Sequence, residues 1–177
     1  MHKIAARQLP ARPRKRTKSH LSATHFARAA TVGDAADVAQ ILAQFADEGQ
    51  LLPRSLGDIE AAINDFVVIV DGNDRVLGCA ALNEYSPSLA EVGAVAVSRD
   101  AQGRGLGSLA VRGVEAMARR RGIPELFAMS RATQFFESLG YAPTSLDRFP
   151  EKVARYEALA AKGIPVTPKS CFTKRLG

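Results

Sequence analysis

Residues 91–117 read EVGAVAVSRDAQGRGLGSLAVRGVEAM, and the fold is decided there. Val92, Val95 and Val97, with small residues between them, have the composition of a buried strand. Ser98-Arg99-Asp100 interrupts it, and glycines follow at 103, 105 and 107. From Leu106 onward residues 106, 109, 110, 113, 114 and 117 repeat at the spacing of one helix face. The stretch is therefore strand, glycine-rich turn, helix. A turn of this kind delivers unpaired backbone N–H groups to the start of a helix, where the helix dipole favours an anion. Glycine lets the backbone bend and lets a bulky phosphate approach without a Cβ in the way. Arg104 adds a positive charge inside the loop. The reading is a pyrophosphate cradle, set against a plain strand-to-helix turn. GRGLGS lacks the third glycine of the dinucleotide fingerprint, and no Gly-Lys-Ser/Thr makes it a P-loop.

Gln102-Gly103-Arg104-Gly105-Leu106-Gly107 resembles the Q/R-x-x-G-x-G/A signature of the GCN5-related N-acetyltransferases. That resemblance implies that the backbone from Gln102 through Gly107 to Ser108 holds the pyrophosphate of acetyl-CoA. It also implies that Val95, Ala96 and Val97 pair with the pantetheine amides.

The 177 residues suit one domain with an independent core. Hydrophobic residues make up 46% and charged ones 24%, ordinary for a globular chain, and no apolar run approaches the roughly 20 residues that span a membrane. Cys79 and Cys171 lack disulfide or metal-motif spacing, and Cys79 reads as a small core residue; a reducing cytoplasm is the expected setting. The net charge of +6 is concentrated at one end. Residues 1–30 carry eight Lys/Arg and no acid, which leaves 16 basic residues against 18 acidic ones elsewhere. Residues 1–23 are expected to be a basic flexible leader and 24–177 the folded domain. RPRKRTK at 12–18 could touch nucleic acid or an acidic partner. The leader has no apolar h-region of a secretory signal, and it is poor in serine for a transit peptide.

Around the central stretch the expected elements are a strand at Thr24 to Ala30 anchored by Phe26, and a helix capped by Thr31 with Asp34 three residues on. Val38, Ile41, Leu42 and Phe45 mark that helix's buried face. A second helix is capped by Ser55 with Asp58, its apolar positions being Leu56, Ile59 and Ile63. Phe66 to Val70 and Val76 to Leu82 form a hairpin about Asp71-Gly72-Asn73-Asp74. Glu125 to Met129 is a strand, Thr133 to Leu139 a helix closed by Gly140, and Ser170 to Leu176 a last strand. The order implies an α/β mixed sheet flanked by helices, an antiparallel meander before a crossover. It is also the order of the single-domain acyl-CoA N-acyltransferase fold.

Four blocks, EGQLLPRS (48–55), GCAALNEY (78–85), AEVGAVAV (90–97) and LFAMSRATQFFESLGY (126–141), resemble the acetyltransferase domain of N-acetylglutamate synthase. FPEKVARYEALAAKG (149–163) stands where that family carries a Leu-Pro-Glu-like segment. The family implies acetyl transfer to the α-amino group of L-glutamate, the first step of arginine biosynthesis. It leaves open a different small amine, glutamine, or a protein N-terminus. It leaves open as well a homodimer, and a CoA-sensing or nucleic-acid-tethered module that does no chemistry.

The three histidines, His2, His20 and His25, lie in or beside the leader, so a histidine-based triad or metal site in the body is not expected. Attack of an amine on a thioester needs only a route for one proton, a donor for the oxyanion and orientation. Glu91 is the candidate for the proton route, against an alternative as an exposed strand-end charge. A backbone N–H of the Val95–Val97 strand is the candidate oxyanion donor. Arg54, in the LLPRS loop with Leu52, is placed by the resemblance on a substrate carboxylate, which its fork suits; the alternative is a solvated loop arginine. Asn83, Lys169 and Ser170 complete the substrate set implied by the resemblance. Three departures stand out. Phe136 precedes Glu137 where many members carry a tyrosine acid, leaving that role to Tyr141, water or nothing. Asn83 stands where some synthases carry lysine, and Pro168 where an arginine would be expected.

Overall fold

The computed structural model describes residues 24–46, 48 and 50–177; the leader and its 12–18 cluster lie outside them. Seven strands form one sheet: β1 (Phe26–Ala29), β2 (Phe66–Val70), β3 (Val76–Ser86), β4 (Leu89–Val97), β5 (Glu125–Ser130), β6 (Ala142–Thr144) and β7 (Ser170–Arg175), in the spatial order β1-β2-β3-β4-β5-β7-β6. β1 to β4 run as an antiparallel meander. β5 joins β4 in parallel, and β7 pairs antiparallel with both β5 and β6. The helices are α1 (Ala35–Ala46), α2 (Leu56–Ala61), α3 (Leu106–Arg120), α4 (Thr133–Ser138) and α5 (Pro150–Ala161). The expected mixed α/β sheet is present.

Strand alternation divides the core in two. Val67, Ile69, Leu82, Val92 and Leu126 face α3, whose Ala110, Val111, Val114 and Ala118 are fully buried against them. Phe66, Val68, Val70, Cys79 and Ala96 face the opposite way, onto Val38, Ile41, Leu42 and Phe45 of α1 and Ile59 of α2. On that second face, beyond β4, Phe127 stacks on Phe149 with centroids 4.3 Å apart, at the point where α5 begins.

β4 is irregular where it matters. Ala81 pairs with Gly93 and Cys79 with Ala96, so β4 spends three residues where β3 spends two. This is a β-bulge, and Ala94 sits in it at φ +51°, a left-handed conformation that costs a non-glycine residue roughly 1–2 kcal/mol. The bulge also explains the three-residue step from Val92 to Val95: without it, the two valines would face opposite sides. β4 and β5 pair only at Leu89–Glu125, Ala90–Leu126 and Glu91–Phe127. Past that point they are unpaired, and a wedge opens between them.

Local signals mostly act as expected. Asp58 N–H donates to Ser55 Oγ (3.1 Å) and Ser55 N–H to Asp58 Oδ2 (3.1 Å), a complete capping box. Thr31 N–H donates to Asp34 Oδ2 (2.7 Å), opening a short 3₁₀ turn that leads into α1. Gly140, at φ +83°, closes α4; its N–H reaches Glu137 O, and Tyr141 N–H reaches Phe136 O, a Schellman closure. Four expectations need correction. Phe26 is 45% exposed and anchors nothing; Ala27 packs on the α3-side core instead. Leu56 is exposed too, because the short α2 turns only Ile59 inward. β3 extends to Ser86 and β4 begins at Leu89, so their hairpin is longer than the apolar runs suggest. β6 and α5 are elements that the apolar pattern does not announce.

Candidate active site

The wedge between β4 and β5 continues into a groove of about 770 Å³ lined by Val92 to Val97, Gln102, Gly107, Arg131 and Phe135. At its end the glycine turn folds as expected. Gly103 and Gly105 sit at φ +75° and +76°, where a side chain is strained, and open space lies where their Cβ atoms would be. Gly105 is the N-cap of α3, and no side chain caps its first N–H groups. Those orphan donors, with no acid in the first turn, form an anion seat. Gln102 Nε2 donates to Val97 O (3.2 Å) and ties the turn to the end of β4. Arg104 is exposed and donates to Asp100 O (2.9 Å). The side chain of Leu106 is buried in the core, as is that of Ala96, which lines the groove.

A second cavity, about 230 Å³, lies on the sheet face opposite α3. α1 and the 51–54 loop wall it on one side, and α5 with the 164–169 segment on the other. It shares Leu51, Gly93, Ala94, Met129 and Lys169 with the groove, so the two meet at the bulge. Five expected residues converge here from four places in the chain: Leu52 and Arg54, Asn83, Glu91 and Lys169 all line it.

Glu91 is not an exposed strand-end charge. It is 5% exposed; both oxygens accept from Lys152 Nζ (2.7 and 2.8 Å), and Tyr85 Oη donates to Oε2 (3.0 Å). Arg54 is half-buried, lies 5.6 Å over the Phe66 ring and donates to Asn83 Oδ1 (3.4 Å). Among the described residues it has no carboxylate within salt-bridge distance. Burial, then the nearby Arg155, holds its guanidinium below the ordinary value. Lys169 Nζ donates to Gln50 O (3.0 Å), and burial followed by Lys152 lowers it as well. Lys152 and Arg155 join Arg54 and Lys169 in the lining, opposed by the single carboxylate of Glu91. That excess of cations over carboxylates suits an anion.

Two expected residues are not brought together with these. Ser170 is exposed, opposite Ser130 at the start of β7, and lines neither cavity. Tyr141 is buried on the α3 side, where desolvation and Glu115 push its hydroxyl up, and it reaches neither space. Phe136 lines the groove and has no proton to give. Burial pushes the Cys79 thiol up to about 12, which removes it as a nucleophile. Among the described residues no three of His, Cys, Asp and Glu gather to hold a metal, and no helix is long and apolar enough to cross a membrane.

Sequence reasoning missed Lys152, Arg155 and Tyr156. They stand at i, i+3 and i+4 behind Pro150, which occupies the first turn of α5. The signal was present, a polar face at helical spacing after an N-terminal proline, but a face of that composition reads as solvated.

The profile of the Acetyltransferase (GNAT) family matches residues 37–141. An uncharacterized N-acetyltransferase of Chlorobaculum tepidum is 34% identical over 128 residues, 72% of this chain and 82% of that protein. An amino-acid acetyltransferase of Ralstonia nicotianae is 32% identical over 128 residues; these are 71% of this chain but 28% of that protein, so the chain spans under a third of such relatives. The N-acetylglutamate synthase of Neisseria gonorrhoeae, complexed with coenzyme A and N-acetyl-glutamate, superposes with a TM-score of 0.76 at 29% identity, over 88% of this chain and 36% of that one. Glycine turn, bulged strand and splayed sheet thus occur together with a family profile and a whole-domain superposition, and this chain belongs to the GNAT acetyltransferase family.

Proposed function

We propose that this N-acetyltransferase moves the acetyl group of acetyl-CoA to the α-amino group of L-glutamate, the first step of arginine biosynthesis. The observation that carries the reading is the small cavity in which Arg54, Lys152, Arg155 and Lys169 surround one carboxylate, opening at the bulge onto the groove. An acceptor with two carboxylates needs cations, since an unpaired buried charge is costly. The kinship with amino-acid acetyltransferases and the likeness to a synthase complexed with N-acetyl-glutamate support the same acceptor.

The groove fits acetyl-CoA. The uncapped start of α3 and the open glycines offer N–H groups to a pyrophosphate, from Gln102 through Gly103, Arg104, Gly105, Leu106 and Gly107 to Ser108. Val95, Ala96 and Val97 run along the groove beside it. When bound, acetyl-CoA supplies a thioester carbonyl at the wedge. The acceptor nitrogen attacks the carbonyl carbon, a C–N bond forms and the C–S bond breaks; the departing sulfur takes up one proton. Glu91 is the route for the proton leaving the amine, and a backbone N–H near Val95 is the oxyanion donor. A thiolate leaves readily at neutral pH, so Phe136 in place of a tyrosine is compatible with turnover.

One observation favours a second acceptor. Asn83 is neutral and its carbonyl oxygen is engaged by Arg54, an amide environment that suits glutamine. The deciding experiment is thiol release from acetyl-CoA across the twenty amino acids. Glutamate is expected to give the highest kcat/KM; glutamine above glutamate would reassign the acceptor, and no release with any amino acid would overturn the reading.

A further inference from the structure

The twelve-residue α5 has one fully buried side chain, and that side chain is a lysine. Amphipathic helices ordinarily dock through an apolar stripe. Here Val153, Tyr156 and Leu159 are only partly covered, while Lys152 is 4% exposed and lies 4.7 Å from the Tyr156 ring centroid. Its ammonium contacts both oxygens of Glu91, the residue through which the acceptor's proton is proposed to leave.

We infer that Lys152 is the positioning residue of the acceptor site: by sharing the Glu91 carboxylate with the incoming ammonium, it makes acceptor binding expel a proton, so that the amine is held neutral for attack. The inference rests on the acceptor-site reading above. Glu91 lines the cavity, so a ligand ammonium placed there meets a carboxylate already carrying one ammonium. Two buried cations on one anion leave an excess charge that desolvation penalises. The surroundings offer no relief. From the 51–54 loop comes Arg54, from α5 Arg155 and Tyr156, from the 164–169 segment Lys169, from β3 Tyr85, and from β7 Cys171. The arginines keep their protons, while burial pushes the hydroxyls of Tyr85 and Tyr156 and the thiol of Cys171 up, keeping them neutral. The excess is removed by a proton from an ammonium. Burial already holds Lys152 below its ordinary value against the opposing pull of Glu91. Lys152 releases one proton to solvent, and the acceptor's proton passes through Glu91 to the freed lysine nitrogen. The balance is one ammonium made amine, Lys152 returned to its charged form, and one proton in solution.

The first test uses the parent protein. L-glutamate is titrated by calorimetry at pH 7 into protein saturated with coenzyme A, in two buffers of different ionisation enthalpy. Release of about one proton per glutamate is expected for an ammonium that enters this site and loses its proton; release of none overturns the inference, whatever the variants do. The second test is the pH dependence of kcat/KM in Lys152→Met and Lys152→Gln. With Glu91 left to hold the acceptor ammonium alone, the acidic limb should move up by about one pH unit or more. Lys152→Arg, which restores the charge but has no proton to release, should move the limb back while kcat stays below the parent's. A purely structural lysine would lower the melting temperature or the rates with the limb in place, and that outcome overturns the proposal. If the parent releases no thiol with any amino acid, the acceptor-site reading itself fails, a result distinct from an active parent with an unmoved limb.

Discussion

The side-chain amide of Asn83 lies so close over Gly93 that a Cβ built there would stand 2.5 Å from its nitrogen. Asn83 in turn accepts from Arg54, across from Glu91 in the strand register. Glycine at 93 is thus what lets the amide lie flat and meet the guanidinium. Gly93→Ala should push Asn83 aside at little cost to the fold, since only a side-chain end must move. Acceptor KM should rise about fivefold, equivalent to ~1 kcal/mol, and more than the KM for acetyl-CoA. Equal changes in both constants would mean that the methyl acts on the shared wedge and not through Arg54.

The glycine turn separates strain from blockage. Gly105 is in the left-handed region, where a β-branched residue is an outlier, whereas a Cβ at Gly107 meets the side chains of Phe135 at 3.5 Å and Val97 at 3.9 Å, both ordinary contacts. Gly105→Val should lower both the melting temperature and acetyl-CoA affinity; Gly107→Val should lower affinity alone, by narrowing the groove. The expected loss is at least about tenfold, or ~1.4 kcal/mol, by calorimetry. Unchanged binding in both variants would contradict the pyrophosphate seat.

Arg28 binds Asp34 through two N–H groups (2.8 and 2.9 Å) and reaches Asp74 (3.0 Å), joining β1, the entry to α1 and the β2–β3 turn. The Arg28 guanidinium holds the Asp34 carboxyl at about 2, below its ordinary 3.8. A depressed folded-state value means stabilisation that is complete above 3.8 and is lost as pH falls through about 2. Arg28→Ala should therefore melt below the parent at pH 7, with a gap that closes between pH 3.8 and 2. A gap that stays constant across that range would show that the pair is not the source.

Much of this was legible because it rests on local rules. Ser55 and Asp58 form the box their spacing requires, and Gly140 closes α4 because few other residues adopt φ +83°. The step from Val92 to Val95 carries a trace of the bulge, but the sequence alone reads it as an uninterrupted buried strand. What was hidden depends on tertiary pairing. β6 is three residues with Pro143 among them, tolerable on an edge strand and invisible as a pattern. Phe26 looked like an anchor because an edge strand and a central one share composition. Lys152 was hidden most completely: its burial is compensated only by Glu91, 61 residues away. Arg54 stands alone in sequence between Arg28 and Arg75, yet the fold gives it Lys152, Arg155 and Lys169 as cationic neighbours. A larger penalty for its loss follows from the sequence than from the structure.

The central claim is that the cationic cavity takes the carboxylates of the acceptor, and Arg54 tests it. The measurement is initial-rate kinetics of Arg54→Ala with L-glutamate varied at saturating acetyl-CoA. Glutamate KM should rise about tenfold, ~1.4 kcal/mol, because one charged contact is lost while neighbouring cations remain. The KM for acetyl-CoA should stay near the parent's, and Arg54→Lys should recover part of the loss, a point charge lacking the two-pronged contact. A glutamate KM within about twofold of the parent's, a difference of only ~0.4 kcal/mol, would contradict both the role of Arg54 and the assignment of this cavity to the acceptor.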